Sequence, residues 1–474
     1  MLFSSMVFVW IFLPVVLAGS FLLRKPRFVN PFLVLASLFF YAWGEPVNVL
    51  LMLFSIVLNY CAGRLLARFE KNDPYEVKKL ILTLDIVLNL ALLAYFKYLG
   101  LLVEGINAVL SLLRGGALAV PSVALPIGIS FFTFQALSYV VDVYRGQVPA
   151  QKKLINVALY ISFFPQLIAG PIVRYREIND QIEDRRVTWD GFALGIRRFI
   201  YGLSKKVLIA NVLARGADAL YKLDIKNVTG GMAWLAAILY TFQIYYDFSG
   251  YSDMAIGLGR MFGFRFSENF NYPYLSRSIR EFWRRWHISL SAWFREYVYI
   301  PLGGNRRGRA RTYLNLLIVF LLTGVWHGAG LSFILWGLYH GFFSVLERLG
   351  LGKALKKLGA LGWLYAFLVV VFGWVLFRVE DVPAALQLMG RMLTPWRCTA
   401  TRLYLYDYIS RHMVMLLPLA FLGMGPLQAL GEKTGLAAKW KYSWIETVYC
   451  GALLALCIGA LASSSYNPFI YFKF

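Results

Sequence analysis

Apolar stretches separated by short polar or basic segments make up most of the chain. They fall at about 1–23, 28–43, 47–62, 80–96, 101–113, 123–141, 153–170, 192–213, 230–262, 312–325, 329–346, 361–378, 412–432 and 441–463. A helix needs roughly 20 apolar residues to cross hydrocarbon, and several runs are shorter. Those are read as tilted, re-entrant or buried between neighbours. The pattern predicts an all-α polytopic membrane protein with about 10 to 13 embedded helices. It reads as one integral-membrane domain over 1–474: N-terminal helices at about 1–115, a core at about 120–346 and C-terminal helices at about 360–474. No internal repeat argues for a transporter. Met1–Leu23 lacks a basic leader and a small-residue cleavage site, so it is read as a retained helix.

Composition strengthens this reading. The chain is 59% hydrophobic, and its 15% charged residues fall well below the roughly 25% of a soluble domain. Aromatic residues reach 17%, as ring-lined segments and interfacial belts require. A formal net charge of +23 would suggest nucleic acid in a soluble protein. Here the basic residues gather in loops, where they set topology and meet lipid headgroups, and no nucleic-acid partner is expected. Arg24-Lys25-Pro26-Arg27, then Arg64, Arg68, Lys71, Lys78 and Lys79, and later Arg114, all fall on the cytoplasmic side if Gly44-Glu45-Pro46 faces out. The N-terminus then lies outside. Cys61, Cys398, Cys450 and Cys457 form no metal or disulfide spacing and read as packing residues.

Three regions interrupt the apolar pattern. In 160–175, Pro165, Gly170 and Pro171 would break a spanning helix. Either a re-entrant turn lines a cavity or a helix simply ends there. Region 265–311 holds ten arginines against Glu268, Glu281 and Glu296. Within it, 279–290 reads as one short amphipathic helix, with Phe282, Trp286 and Ser289 on one face and Arg280, Arg284 and His287 on another. Such a helix lies at the interface, and its arginines suit the phosphates of a nucleotide-bearing donor. Asp247 and Asp253 lie in an otherwise apolar run. Asp247 is expected to pair with an arginine such as Arg260 or Arg265, or to accept backbone hydrogen bonds. Asp253 stays open between an ion pair and a functional acid.

Only four histidines occur. His327, in Val325-Trp326-His327-Gly328-Ala329-Gly330, sits between two apolar runs. An imidazole there is retained because it is paired, solvated or used. Trp326 and Trp336 can shape a slot beside it. His287 is the second candidate. His340 would lie about 20 Å from His327 on an unbroken helix, so both act on one proton only if a turn intervenes. It is read as a hydrogen-bonded interior residue, and His412 as interfacial. No zinc spacing, phosphate-binding loop, dinucleotide fingerprint or serine nucleophile elbow is present.

Taken together, these segments resemble the membrane-bound O-acyltransferase family, in its bacterial branch. The matching text is Pro126-Ile127-Gly128-Ile129-Ser130-Phe131-Phe132-Thr133-Phe134-Gln135, Phe164-Pro165-Gln166-Leu167-Ile168-Ala169-Gly170-Pro171-Ile172, Asp247-Phe248-Ser249-Gly250-Tyr251-Ser252-Asp253, Phe282-Trp283-Arg284-Arg285-Trp286-His287-Ile288-Ser289-Leu290-Ser291, Gly324-Val325-Trp326-His327-Gly328 and Asn467-Pro468-Phe469-Ile470-Tyr471-Phe472-Lys473-Phe474. The resemblance implies a ring of membrane helices around a central funnel, with re-entrant and interfacial helices. It implies His327 as the catalytic histidine and His287 as its companion. It also implies acyl transfer from a cytoplasmic thioester toward an acceptor on the outer side of a bacterial inner membrane. On the alginate-acetylating side of the branch, favoured by the tail and the length, the donor is acetyl-CoA. There are no tightly bound cofactors on that side. The partner is a periplasmic or extracellular SGNH-type acetyltransferase and the acceptor an exopolysaccharide or cell-wall glycan. The alternative is D-alanyl transfer from a carrier protein toward teichoic acid. His327 is then expected to act as general base. His287 would orient the donor, stabilise an oxyanion or relay a proton. Arg280, Arg284, Arg285, Trp286, Trp326, Trp336 and Asp253 are the expected donor-binding set. Direct transfer and an acyl-protein intermediate both remain open, and a transporter or a recruiting scaffold is the competing class.

Overall fold

The computed structural model describes residues 1–69, 75–113, 115–396, 408–464 and 466–470. Lys71, Arg114, Cys398 and the last four residues of the tail motif, Tyr471 to Phe474, lie outside the described residues. Among those described, every regular element is helical. The chain divides into two compact units, Met1–Ile196 with Ala255–Ser267, and Arg197–Met254 with Glu268–Phe474.

The first unit opens with a short π-helical turn, Phe8–Phe12, running into α1 (Leu13–Leu23). It continues with α2 (Pro26–Ala42), α3 (Val49–Leu66), α4 (Tyr75–Leu112), α5 (Ile129–Tyr144), α6 (Leu154–Ser162), α7 (Phe164–Leu167), α8 (Tyr175–Glu183) and the start of α9 (Trp189–Ser204). α4 is about 57 Å long at 1.5 Å per residue, well beyond a hydrocarbon core of about 30 Å. Segment 160–175 does break: α6 stops at Ser162, and Pro165 opens the four-residue turn α7. From Leu159 to Val173 it is buried. Several of its polar groups are met from inside the unit, though Gln166 Oε1 has no partner among the described residues. Gln166 Nε2 donates to the Tyr160 carbonyl at 2.6 Å, Phe164 N to Ser37 Oγ at 3.1 Å, and the Tyr160 hydroxyl to the Val173 carbonyl at 2.8 Å. Irregular backbone at membrane depth persists only with such partners. Gly128, at φ +79°, is pressed against this turn, and a β-carbon there would lie 2.8 Å from the Leu167 carbonyl oxygen.

The second unit takes the end of α9, then α10 (Asn211–Tyr221) and most of α11 (Gly230–Met261). Two short helices follow, α12 (Ile279–Arg285) and α13 (Ile288–Phe294). The hairpin α14 (Gly308–His327) and α15 (Leu331–Leu346) comes next, then α16 (Gly352–Lys357), α17 (Ala360–Arg378) and α18 (Val382–Leu393). The last elements are α19 (Arg411–Gly423), α20 (Pro426–Thr434), α21 (Leu436–Trp440) and α22 (Trp444–Ser463). α14 and α15 pack closely because Gly324 and Gly337 face each other: a β-carbon on Gly337 would fall 3.2 Å from the Gly324 Cα.

Among the described residues, α3, α4, α17 and α22 are long and apolar enough to cross a membrane. The bent pair α19–α20 adds a fifth on the same criterion. The chain is thus an all-α, multi-pass membrane protein, and most other apolar runs fold into helices too short to span alone. Cys450 and Cys457 are buried as expected, whereas Cys61 is exposed on α3, a position that suits lipid contact.

Candidate active site

His327 is the last residue of α14. Gly328 leaves the helix in extended conformation, and α15 begins at Leu331, so the turn that the two histidines require is present. The His327 ring is buried, with Trp326, Trp336 and Phe377 at centroid distances of 4.8, 5.0 and 5.0 Å. Trp336 also touches His340, at 5.2 Å, so one indole lies against both histidines. His340 is buried, but neither of its ring nitrogens has a hydrogen-bond partner among the described residues. This corrects the expected hydrogen-bonded interior role. Its neighbours, Trp283 and Trp336, present ring faces and edges instead of acceptors.

His287 corrects a second expectation. The segment 279–290 is not one helix: it breaks at His287, which takes left-handed φ 42°, ψ 55° between α12 and α13. A non-glycine residue held there is uncommon. The break carries His287 away from the arginine face and into the interior, where 1% of it is exposed. Its ring packs on Phe248 at 4.6 Å and Trp326 at 6.2 Å. His287 and His327, from separate elements, therefore lie against the same Trp326 indole.

Asn269, which the sequence reading did not single out, fixes the state of His287. Its Oδ1 accepts from the Ser289 backbone N–H at 3.2 Å and the Ser289 hydroxyl at 2.8 Å, and its Nδ2 donates to Ser252 Oγ at 3.0 Å. A backbone N–H can only donate, so the oxygen is oriented toward His287. The 3.1 Å contact from His287 Nδ1 must then be an N–H donation. The proton sits on Nδ1, and Nε2 carries the lone pair. Burial holds the His287 pKa well below the usual imidazole range.

The expected donor-binding residues divide. Arg280 and Arg284 line a basin of about 820 Å³ together with Arg277, Arg309, Arg348 and Lys356. Arg285 is turned elsewhere, pairing with Glu281 at 2.8 Å and donating to the Asn271 carbonyl. Trp286 is buried in an aromatic cluster, stacked on Phe282 and 4.9 Å from Trp374. Asp253 is ion-paired with Lys205 and Arg198, each at 2.6 Å. Asp247 is also paired, though with Lys206 at 2.7 Å and not with Arg260 or Arg265, and it accepts from the Ile470 backbone N–H.

α12 itself is well anchored. Ser278 caps it by accepting from Glu281 N, and Glu347 reaches across from the end of α15 to accept from Ile279 N at 2.6 Å and Arg280 N at 3.1 Å. Glu347 is a second residue that the sequence did not reveal. α12 presents Arg280, Glu281 and Arg284 to the basin along its length, and His287 follows two residues after its end. Burial, then the neighbouring Arg348 and Arg284, pulls the Arg280 pKa below the ordinary guanidinium value. An anion in the basin would relieve that crowding.

Residues 150–377 match the family model described as MBOAT, membrane-bound O-acyltransferase family. The chain is 42% identical to the "Probable alginate O-acetylase AlgI" of Pseudomonas putida, over the full length of both. It is 34% identical to the "Peptidoglycan O-acetyltransferase" of Helicobacter pylori, covering 100% of this chain and 98% of that protein. It is 30% identical to the "Teichoic acid D-alanyltransferase" of Bacillus subtilis over 45% of this chain and 56% of that one.

Proposed function

The chain belongs to the membrane-bound O-acyltransferase family, and from that premise we propose that it moves an acetyl group from acetyl-CoA toward an exported polysaccharide or cell-wall glycan. The observation that carries this reading is the pairing of two buried histidines on one indole with an arginine basin along α12.

His327 acts as general base. It takes the proton of an acceptor hydroxyl as that oxygen bonds to the thioester carbonyl carbon. The carbon–sulfur bond then breaks, and the imidazolium returns the proton to the leaving thiolate. A protonated ring cannot begin this sequence, and the apolar walls of Trp326, Trp336 and Phe377 favour the neutral form. His287, with Nδ1–H fixed by Asn269, orients the reacting groups through Nε2. Arg280 and Arg284 receive the donor phosphates. The acceptor belongs to a polymer outside an inner membrane, reached through an SGNH-type partner. D-alanyl transfer from a carrier protein is the second reading, favoured by the partial likeness to the teichoic acid enzyme.

Purified protein given acetyl-labelled CoA should release thiol and pass label to a glycan or its transferase. His327→Ala should lower that rate about 10²–10⁴-fold, the usual contribution of a positioned base. Undiminished turnover in the variant removes His327 from the reaction. Label accepted only from a loaded carrier protein selects the second reading.

A further inference from the structure

The first unit contains a crevice of about 600 Å³ that acyl transfer does not use. Leu17, Ser20, Phe21 and Arg24 line it from α1, and Arg185 and Trp189 from the segment leading into α9. Most of its wall is hydrocarbon or ring, and Phe21 stacks with Trp189 at 6.4 Å. Two polar atoms of its lining residues are enclosed without a hydrogen-bond partner among the described residues: Ser20 Oγ and Arg185 Nη2. The rest of the Arg185 guanidinium is occupied. Nε donates to the Phe262 carbonyl at 3.2 Å, Nη1 to the Ile182 carbonyl at 3.1 Å, and the plane lies 4.4 Å from the Phe264 ring. Burial lowers the Arg185 pKa to about 10, so the group stays cationic near neutrality. A half-buried cation held by carbonyls and a ring, with one N–H pair left over, has no counter-anion among the described residues. Arg24 and the exposed Arg186 line the same crevice.

A ligand that satisfies this crevice carries an anion at one end and apolar chains at the other. We propose that it binds one glycerophospholipid with an anionic headgroup. The phosphate meets Arg185 Nη2 and Ser20 Oγ, Arg24 and Arg186 stand at the rim, and an acyl chain lies along Leu17, Phe21 and Trp189. The position suits such a lipid. Arg24 and Lys25 join the apolar helices α1 and α2, and Arg27 lies in the first turn of α2, a basic cluster of the kind found where chain leaves hydrocarbon for water. A zwitterionic lipid brings its own cation to this cluster and binds less well.

The test uses the full chain, delipidated in detergent and titrated with phosphatidylglycerol or phosphatidylcholine while adducts are counted by native mass spectrometry. One phosphatidylglycerol per chain should be retained in preference to phosphatidylcholine. Arg185→Gln should weaken it about tenfold or more, as loss of a charge-assisted hydrogen bond does. Because Arg185 also ties down carbonyls, the Arg24→Gln/Arg186→Gln double variant, altered only at the rim, should weaken retention too while unfolding at the wild-type temperature. Equal retention of both lipids, or adducts unchanged in both variants, overturns the proposal. So does displacement of the lipid by inorganic phosphate alone, which would mark a free-anion site.

Discussion

Single side chains set the chemistry of this protein, and Asn269 shows how much one can control. Three donors converge on its buried Oδ1. Asn269→Leu should destabilise the fold by about 1–3 kcal/mol for each buried group left without a partner. That loss is read from thermal unfolding in detergent. His287 adds a pH dependence whose sign follows from its environment. Its pKa is depressed in the folded protein, so the unfolded chain binds the extra proton. The stabilisation is complete above the unfolded value of about 6.5 and is lost as pH falls below it, by about 1.4 kcal/mol per unit. Unfolding midpoints should therefore drop between pH 7.5 and 5.5, and His287→Gln should lessen that slope, with buried His340 contributing the remainder in the same direction. His327 stands out in the sequence because an imidazole between apolar runs is conspicuous, and His287 because it follows the arginine-rich stretch within a family motif. Asn269 does not, since an asparagine within Glu268-Asn269-Phe270-Asn271 reads as loop polarity until the fold turns it inward.

At the scale of elements, helical periodicity reached its limit at 279–290. The spacing of rings and arginines fits one helix, and α12 and α13 do follow it on either side. What no periodicity reveals is a single left-handed residue, because its cost is met by tertiary contacts with Phe248 and Asn269. The broken segment at Phe163 was legible from Pro165 and Gly170, whose backbone limits act locally. Glu347 shows the opposite case. Sixty-seven residues separate it from Arg280, and only the path of α15 brings its carboxylate to the start of α12. Glu347→Gln removes a charged acceptor from that helix end without touching the reacting atoms. Steady-state acetyl transfer should show KM for the donor raised several-fold with kcat nearly unchanged, the pattern of lost ground-state binding.

Across the whole chain, the apolar runs announced a helical membrane protein, and the family motifs announced its reaction. The division into spanning and shorter helices was not legible, because run length does not say which helices are shielded by others. In α11 the sequence reads Asp247 as paired and leaves Asp253 open, and both find partners at positions that spacing alone does not indicate. Lys206 and Asp247 form an ion pair with side chains 4% and 2% exposed. Lys206→Met would strand the carboxylate and should cost about 3–5 kcal/mol, seen as a lower unfolding midpoint or failed expression. The double change Lys206→Met/Asp247→Leu should recover part of that loss, since no lone charge then remains.

The same pair has a consequence for how the protein is made. Lys206 also donates to the Pro468 carbonyl, and Asp247 accepts from Ile470, partners 262 and 223 residues downstream. During synthesis more than 200 further residues must be threaded before those carbonyl and amide groups emerge. Until then the lysine and the aspartate hold only each other, and the downstream half of the clasp closes long after α11 has been made.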